Sequence, residues 1–365
     1  MKDMFSGLLT FLIVVIVVFI IPAFMEMGKS PSKEELAQYE KLPYFKNGTF
    51  HGSLPMAHRQ KGDYEDKVGQ TLWFLFSKRN NPNSPLPQVK LDKNSFSDIA
   101  GDNIVYWLGH ASTILELNGK RIGIDLVFDN ASPVPFTIER YQDAPIRRED
   151  LPKLDYIILT HNHYDHLEKK TVKSIKEGKF IVPLGVGAAL RGWGVAKERI
   201  IELGWDDSFE TPELKITAVK AIHFSGRSLT DRNKTLWNAY VIQTPDHNIF
   251  WGGDSGYGKQ FKEYYERFGE FDWAALEIDA WNGGWPDIHS FPSQIVQEAE
   301  DLHAARVLPI HWAAYSLGNH KWNKSINYVT EAAIGKHFEL MTPKMGEKLE
   351  IGITQTKPWW LEVKE

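Results

Sequence analysis

The sequence predicts an α/β fold preceded by a membrane-spanning helix, and three observations carry the prediction. Short runs of β-favouring apolar residues recur between Ile104 and Ile310, several of them ending at once in a histidine or an aspartate. Stretches of helical spacing lie between them, notably Ser290 to His303, where Ile295, Val296, Ala299 and Leu302 fall on one face. The third is Phe5 to Met25, F-S-G-L-L-T-F-L-I-V-V-I-V-V-F-I-I-P-A-F-M. It carries no charge, and at ~1.5 Å per residue it just spans a hydrocarbon core of roughly 30 Å.

Composition narrows the function. The 365 residues suffice for one large domain or two modest ones. A net charge of −5 argues against a nucleic-acid surface, which calls for the opposite balance. Cysteine is absent, so there is no disulfide, no thiolate ligand and no cysteine nucleophile. Any metal site must then be built from histidine and carboxylate.

At the N-terminus Lys2 is balanced by Asp3, and no small-x-small cleavage site follows the apolar run. Both features favour a retained single-pass anchor over a cleaved signal peptide. Lys29, Lys33 and Lys41 follow the span and only Lys2 precedes it, which places the large C-terminal part on the cytoplasmic side. The chain divides into an anchor over 1–27, a lead-in segment over 28–100 that packs on the core, and a main domain over 101–365. Within the lead-in, Pro31 to Lys41 predicts a short helix capped by Ser32, with Glu35 completing a capping box. Trp73 to Phe76 form an aromatic cluster ahead of N-N-P-N-S-P-L-P, a loop by composition.

From Asp102 onward, Ile104–Leu108, Thr113–Leu117 and Arg121–Leu126 predict consecutive strands, the last two joined by the hairpin signal Asn118-Gly119. Tyr156–Leu159 leads through Thr160 into the histidine-rich run. Leu214–Ile222 is followed by His223, Asn248–Trp251 by Gly252, Gly253 and Asp254, and Arg306–Ile310 by His311. In the helix at Ser290–His303, Ser290 is the predicted N-cap and Pro292 sits in the first turn.

The richest stretch is Leu154 to Leu167, L-D-Y-I-I-L-T-H-N-H-Y-D-H-L. Residues two apart in an extended or turning segment point the same way, so His161 and His163 can converge on one ion, with Asp165 and His166 facing a second. With the other strand-end residues a two-ion site closes. His161, His163 and His223 take one ion, Asp165, His166 and His311 the other, and Asp254 bridges them. Imidazole with carboxylate suits two Zn²⁺, with Fe or Mn also accommodated. The rival readings are a histidine-rich surface loop and ordinary core histidines at His223 and His311.

With these residues in view, the chain resembles the metallo-β-lactamase superfamily through H-x-H-x-D-H at His161–His166. More narrowly it resembles the branch of N-acylphosphatidylethanolamine phospholipase D. The segments that carry the narrower likeness are W-L-G-H-A-S-T from Trp107, D-R-N-K-T-L-W within Arg227–Trp237, and G-G-D-S-G-Y from Gly252. W-P-D-I-H from Trp285, I-H-W from Ile310 and H-K-W from His320 complete the set. The resemblance implies an αββα sandwich with a binuclear site at one edge, and the same ligand set. Asp125-Leu126 and Ser290-Phe291-Pro292 depart from the branch, at positions expected in pocket walls.

The function expected is a membrane-anchored binuclear hydrolase, a phosphodiesterase of phospholipase D type in which metal-bound hydroxide attacks N-acylphosphatidylethanolamine or a related phospholipid. Asp165 and Asp254 are the expected catalytic carboxylates. His110 and Asp125 are candidates to orient the ligands, and His289, Tyr257, Trp281 and Trp285 to line the pocket. Two alternatives share these residues: a lactonase or other ester or amide hydrolase, and a non-catalytic membrane-tethered metal- or lipid-binding protein. The partners expected are the lipid or small-molecule substrate and the membrane, with no nucleic acid.

Overall fold

The computed structural model describes residues 10, 17, 20–52, 80–96 and 103–364. In chain order these begin with α1 (Ile21–Met27), α2 (Lys33–Tyr39) and a small hairpin of β1 (Phe45–Lys46) and β2 (Thr49–Phe50). The α2 start is as predicted: Glu35 N–H donates to Ser32 Oγ at 3.2 Å and Ser32 N–H to Glu35 Oε2 at 2.7 Å. Most of the span predicted over Phe5–Met25, and the whole Trp73–Phe76 cluster, lie outside the described residues. Among those described, no helix is long and apolar enough to cross a membrane.

The body is made of two seven-stranded sheets. One contains β3 (Ile104–Trp107), β4 (Thr113–Leu117), β5 (Lys120–Ile124), β6 (Tyr156–Ile158), β7 (Lys179–Pro183) and β8 (Ile200–Leu203), with β16 (Lys348–Glu350) at its edge. The other runs from β9 (Ser208–Glu210) through β10 (Lys215–Val219), β11 (Ala239–Gln243), β12 (Asn248–Trp251), β13 (Trp273–Glu277) and β14 (Arg306–Ile310) to β15 (Glu339–Leu340). Each sheet starts as an antiparallel meander and continues parallel, from β5 onward and from β12 onward. The β4–β5 hairpin turns at Asn118 and Gly119, φ +47° and +72°, the pair of left-handed residues that a tight two-residue turn requires.

The period-two alternation of the strands sorts their side chains into two layers. Val105 and Trp107 face the core between the sheets, while Ile104 and Tyr106 face the other way. Ile181 and its neighbours Phe180 and Val182 divide likewise. Against the outer face of the first sheet lie α3 (Lys169–Ser174) and α4 (Val186–Gly192), through Val172, Val186, Ala189 and Leu190. The second sheet is covered by α5 (Gln260–Phe268), α6 (Pro292–Asp301) and α7 (Lys324–Ala332), with Phe261 and Tyr264 of α5 packed on Phe250 at 5.9 and 5.6 Å. This is an αββα sandwich. The described part of the lead-in is bound into it, since Tyr39, Phe45, Phe50 and Leu86 join the inter-sheet core.

The start of α6 departs from expectation. Its N-cap is Phe291, whose N–H is held by Gln294 Oε1 at 2.8 Å. Ser290 is not available as a cap, because its hydroxyl bonds to the Ser255 carbonyl at 3.1 Å and to Glu298. Burial pushes the Glu298 carboxyl well above its ordinary range, against the hydrogen bond from Ser290, and Glu277 and Asp301 push it further. A carboxyl raised on folding binds its proton more tightly in the folded state, so stability falls as pH rises from the ordinary value through the raised one. Glu298→Gln, which keeps an acceptor for Ser290, is expected to melt higher at about pH 8 and to lose that advantage near pH 4. Each kcal/mol gained appears as roughly 1–2 °C in a chain of this length, and differential scanning calorimetry at the two pH values reads it.

Candidate metal centre

Strand ends supply the site. The loop from Thr160 to Leu167 leaves β6, His223 follows β10, Asp254 follows β12 and His311 follows β14. The turns are tight: His110, Asp125 and His311 hold φ of +53°, +44° and +69°, a region costly for residues with a Cβ and concentrated where function demands it. Gly253, at φ +58°, lets the end of β12 lie against Thr160; a Cβ there would meet Thr160 Cβ at 2.8 Å.

The seven predicted ligands come together. His161 Nε2 lies 2.8 Å from His163 Nδ1, and His223 Nε2 lies 3.2 Å from the same atom. Asp254 Oδ2 is 3.8 Å from His161 Nε2, 3.7 Å from His223 Nε2 and 3.1 Å from His311 Nε2, while its Oδ1 is 3.1 Å from His166 Nε2. Asp165 Oδ2 sits 3.6 Å from His166 Nε2 and 3.4 Å from His311 Nε2. Asp254 thus stands between the two triads.

Outer hydrogen bonds aim these rings inward. Asp125 accepts from Thr160 N–H at 2.9 Å, from Thr160 Oγ1 at 2.7 Å and from His166 Nδ1 at 2.8 Å, which leaves His166 Nε2 facing the cluster. His223 Nδ1 donates to the Ile288 carbonyl at 3.0 Å, to the same effect. His110 Nε2 reaches Asp165 Oδ2 at 3.0 Å, and its ring lies 3.9 Å from that of His311. His289 shares a 2.7 Å hydrogen bond with Glu277 Oε2 through Nδ1, so its Nε2 is the ring's other polar atom.

The donor set fits divalent cations. His166 Nε2, His311 Nε2 and Asp254 Oδ1 are buried and make no hydrogen bond. Each would cost about 1–3 kcal/mol if left so. Burial foremost holds His161 and His163 well below their ordinary range, and His223 at about 3, so their lone pairs are free. At His311 burial works the other way from Asp254 and Asp165, and the carboxylates win, raising it to about 10. The carboxylates that favour positive charge there would favour a metal ion in the proton's place. Three overlapping groups have ligand atoms within 4.8 Å: His161, His163, His223 and Asp254; His110, Asp165, His166 and His311; and Asp254, Glu277, His289 and His311.

A cavity of about 510 Å³ opens onto the cluster at His163, Asp165, His223, Asp254 and His311. Of the four residues expected in the pocket, His289 and Trp285 line this cavity. Tyr257 and Trp281 do not: the Tyr257 hydroxyl donates to Asp301 at 2.8 Å, and Trp281 is buried with its indole N–H on Ser325 Oγ at 2.9 Å. Nor do Leu126 and Ser290-Phe291-Pro292 form its walls, which come instead from Ala131, Ile138, Phe224, Ile288 and Leu317, with Tyr164 and Arg232. Sequence reasoning missed Glu277 as well. Its signal was the same as for the predicted ligands, an acidic residue ending a run of strand-forming residues, W-A-A-L-E.

Comparison with known proteins agrees with this geometry. A β-lactamase superfamily domain matches residues 120–312. The chain is 34% identical to an uncharacterized protein of Mycobacterium tuberculosis over 88% of each chain. It is 32% identical to an N-acyl-phosphatidylethanolamine-hydrolyzing phospholipase D of Caenorhabditis elegans, over 64% of this chain and 70% of that one. Among solved structures, the metallo hydrolase Igni18 of Ignicoccus hospitalis superposes with a TM-score of 0.52 at 18% identity, over 67% of this chain and 97% of that one, a likeness of fold.

Proposed function

The chain belongs to the β-lactamase superfamily and is a metal-dependent hydrolase of the metallo-β-lactamase fold, and from that premise we propose that it is a membrane-anchored phosphodiesterase of phospholipase D type. It would cleave N-acylphosphatidylethanolamine or a related phospholipid to phosphatidic acid and the amide-bearing alcohol. The observation that carries the reading is the His/Asp cluster set against the largely apolar wall of a cavity of about 510 Å³, a size suited to the polar end and first methylenes of a lipid. The relationship to the nematode phospholipase and the uncharged Phe5–Met25 stretch support it independently.

His161, His163 and His223 would hold one divalent cation and Asp165, His166 and His311 a second, with Asp254 between them; zinc is proposed, and the ligand chemistry also admits Fe or Mn. When bound, such a pair supplies Lewis acidity toward a phosphoryl oxygen and acidifies water. The chain's own groups do the rest. Asp125 and the Ile288 carbonyl fix the tautomers of His166 and His223. Asp165 and Asp254 accept hydrogen bonds from the attacking water and align it. Phe224, Ile288 and Leu317 exclude bulk water, which strengthens every electrostatic contact within. Burial holds the Glu277 carboxyl well above its ordinary range, so it keeps its proton and donates a hydrogen bond to His289 Nδ1, and His289 presents Nε2–H to the leaving oxygen.

The test is turnover of N-acylphosphatidylethanolamine, phosphatidylethanolamine and a simple lactone by the purified protein in detergent, with products identified by mass. Phosphatidic acid from the first lipid, lost on chelation and restored by zinc, is the expected result. Lactone opening without lipid cleavage would keep the metal site and reject the lipid substrate.

A further inference from the structure

We propose that the rim of the metal cavity is a bilayer-docking surface: the loops of residues 131–138 and 226–232, with the end of α1, seat on lipid so that the cavity opens toward it. The inference deepens the phospholipid reading and takes its purpose from it, while its evidence is separate. Each loop helps wall the cavity, through Ala131 and Ile138 on one side and Gly226 and Arg232 on the other. Each also turns one large apolar side chain away from the protein. Phe136 is 71% exposed and Leu229 completely so. The Phe136 backbone sits at φ +64°, a strained conformation for a residue with a Cβ. Strain that presents a bare aromatic ring to water is costly twice over, and contact with lipid removes the second cost.

The path of the chain reaches the same rim. Arg227 Nη2 donates to the Glu26 carbonyl at 3.1 Å and Lys169 Nζ to the Met25 carbonyl at 2.6 Å, pinning the C-terminal end of α1 beside the 226–232 loop. Glu26 also shares the lining of a neighbouring cavity with Pro135, next to Phe136. The exposed Phe24 and Met25 continue an uncharged stretch that begins at Phe5. A span there would leave the domain at the cavity rim. Arg232 completes the surface. It is exposed, lies 4.2 Å over the Phe224 ring, and among the described residues forms no ion pair, which leaves a cation for a lipid phosphate.

The chain's lack of cysteine makes the test clean. Leu229→Cys, Phe136→Cys and, as reference, Ile334→Cys each give the full chain one labelling site. Ile334 is 79% exposed and precedes β15, which pairs with the start of β14, away from His311. Each variant carries an environment-sensitive fluorophore and is reconstituted in vesicles of phosphatidylcholine and phosphatidylglycerol doped with a nitroxide lipid. Emission from 229 and 136 is expected to shift to the blue and be quenched several-fold more than emission from 334. Equal quenching at all three sites, or none at 229 and 136, overturns the proposal. So does a blue shift that appears in detergent and grows with protein concentration, the sign of a second copy covering the face. Selective quenching without cleavage of N-acylphosphatidylethanolamine keeps the docking surface and rejects the substrate, so the two readings fail separately.

Discussion

His163→Ala is expected to yield a folded protein that has lost metal and at least ~10³-fold in kcat/KM, the scale on which members of one catalytic unit act when removed. His163 Nδ1 is the meeting point of His161 Nε2 at 2.8 Å and His223 Nε2 at 3.2 Å, so its loss opens the first triad at its centre. The fold has little stake in it. The ring stands in a loop, its aromatic neighbours are His161, His223 and the cavity-wall residue Phe224, and it belongs to none of the hydrophobic clusters that hold the sheets together. Metal stoichiometry by elemental mass spectrometry, circular dichroism and single-substrate kinetics on one preparation separate the three effects. A variant that hydrolyses substrate as well as the parent would remove the cluster from the chemistry altogether.

The ligands were legible in the sequence because the fold delivers them in a form that sequence records. A buried parallel strand is a short β-favouring run, and the residue after it sits at the carboxyl edge where such sheets bind ligands. Tyr156–Ile158 before His161, Asn248–Trp251 before Asp254 and Arg306–Ile310 before His311 all obey that rule. The cavity walls leave no such record. Ala131 and Ile138, like Phe224 and Leu317, stand in irregular segments whose path is set by tertiary contacts such as the bond from the Tyr315 hydroxyl to the Asp129 carbonyl at 2.7 Å. Tyr257 and Trp281 show the converse. They neighbour functional motifs in sequence, yet the direction of each side chain is decided by a partner far along the chain, Asp301 and Ser325. Ser290 had the residue type of a cap, and Ser255 and Glu298 claimed its hydroxyl first.

Asp125 gives the sharpest separation of orientation from structure. Its carboxylate touches no predicted ligand except His166, and all three of the hydrogen bonds that the carboxylate accepts are buried. Asp125→Asn keeps the shape and an oxygen for the Thr160 N–H, but it turns an amide N–H₂ toward His166 Nδ1. Two donors cannot face each other, so His166 must take the other tautomer and point Nε2–H at Asp254 Oδ1, 3.1 Å away, in place of a lone pair. The expected result is a loss of about 10–100-fold in metal affinity and a similar loss in kcat/KM, the range for residues that orient metal-bound histidines, with the melting temperature little changed. Asp125→Ala should lose as much affinity and in addition cost about 2–4 kcal/mol of stability, because Thr160 and His166 are left with buried donors unmet. Competition with a chelator of known affinity, beside thermal melts of both variants, reads the two effects apart. If Asp125→Asn bound metal like the parent and only Asp125→Ala were impaired, Asp125 would be a packing residue, and the orientation of His166 would have to come from the Thr160 hydroxyl alone.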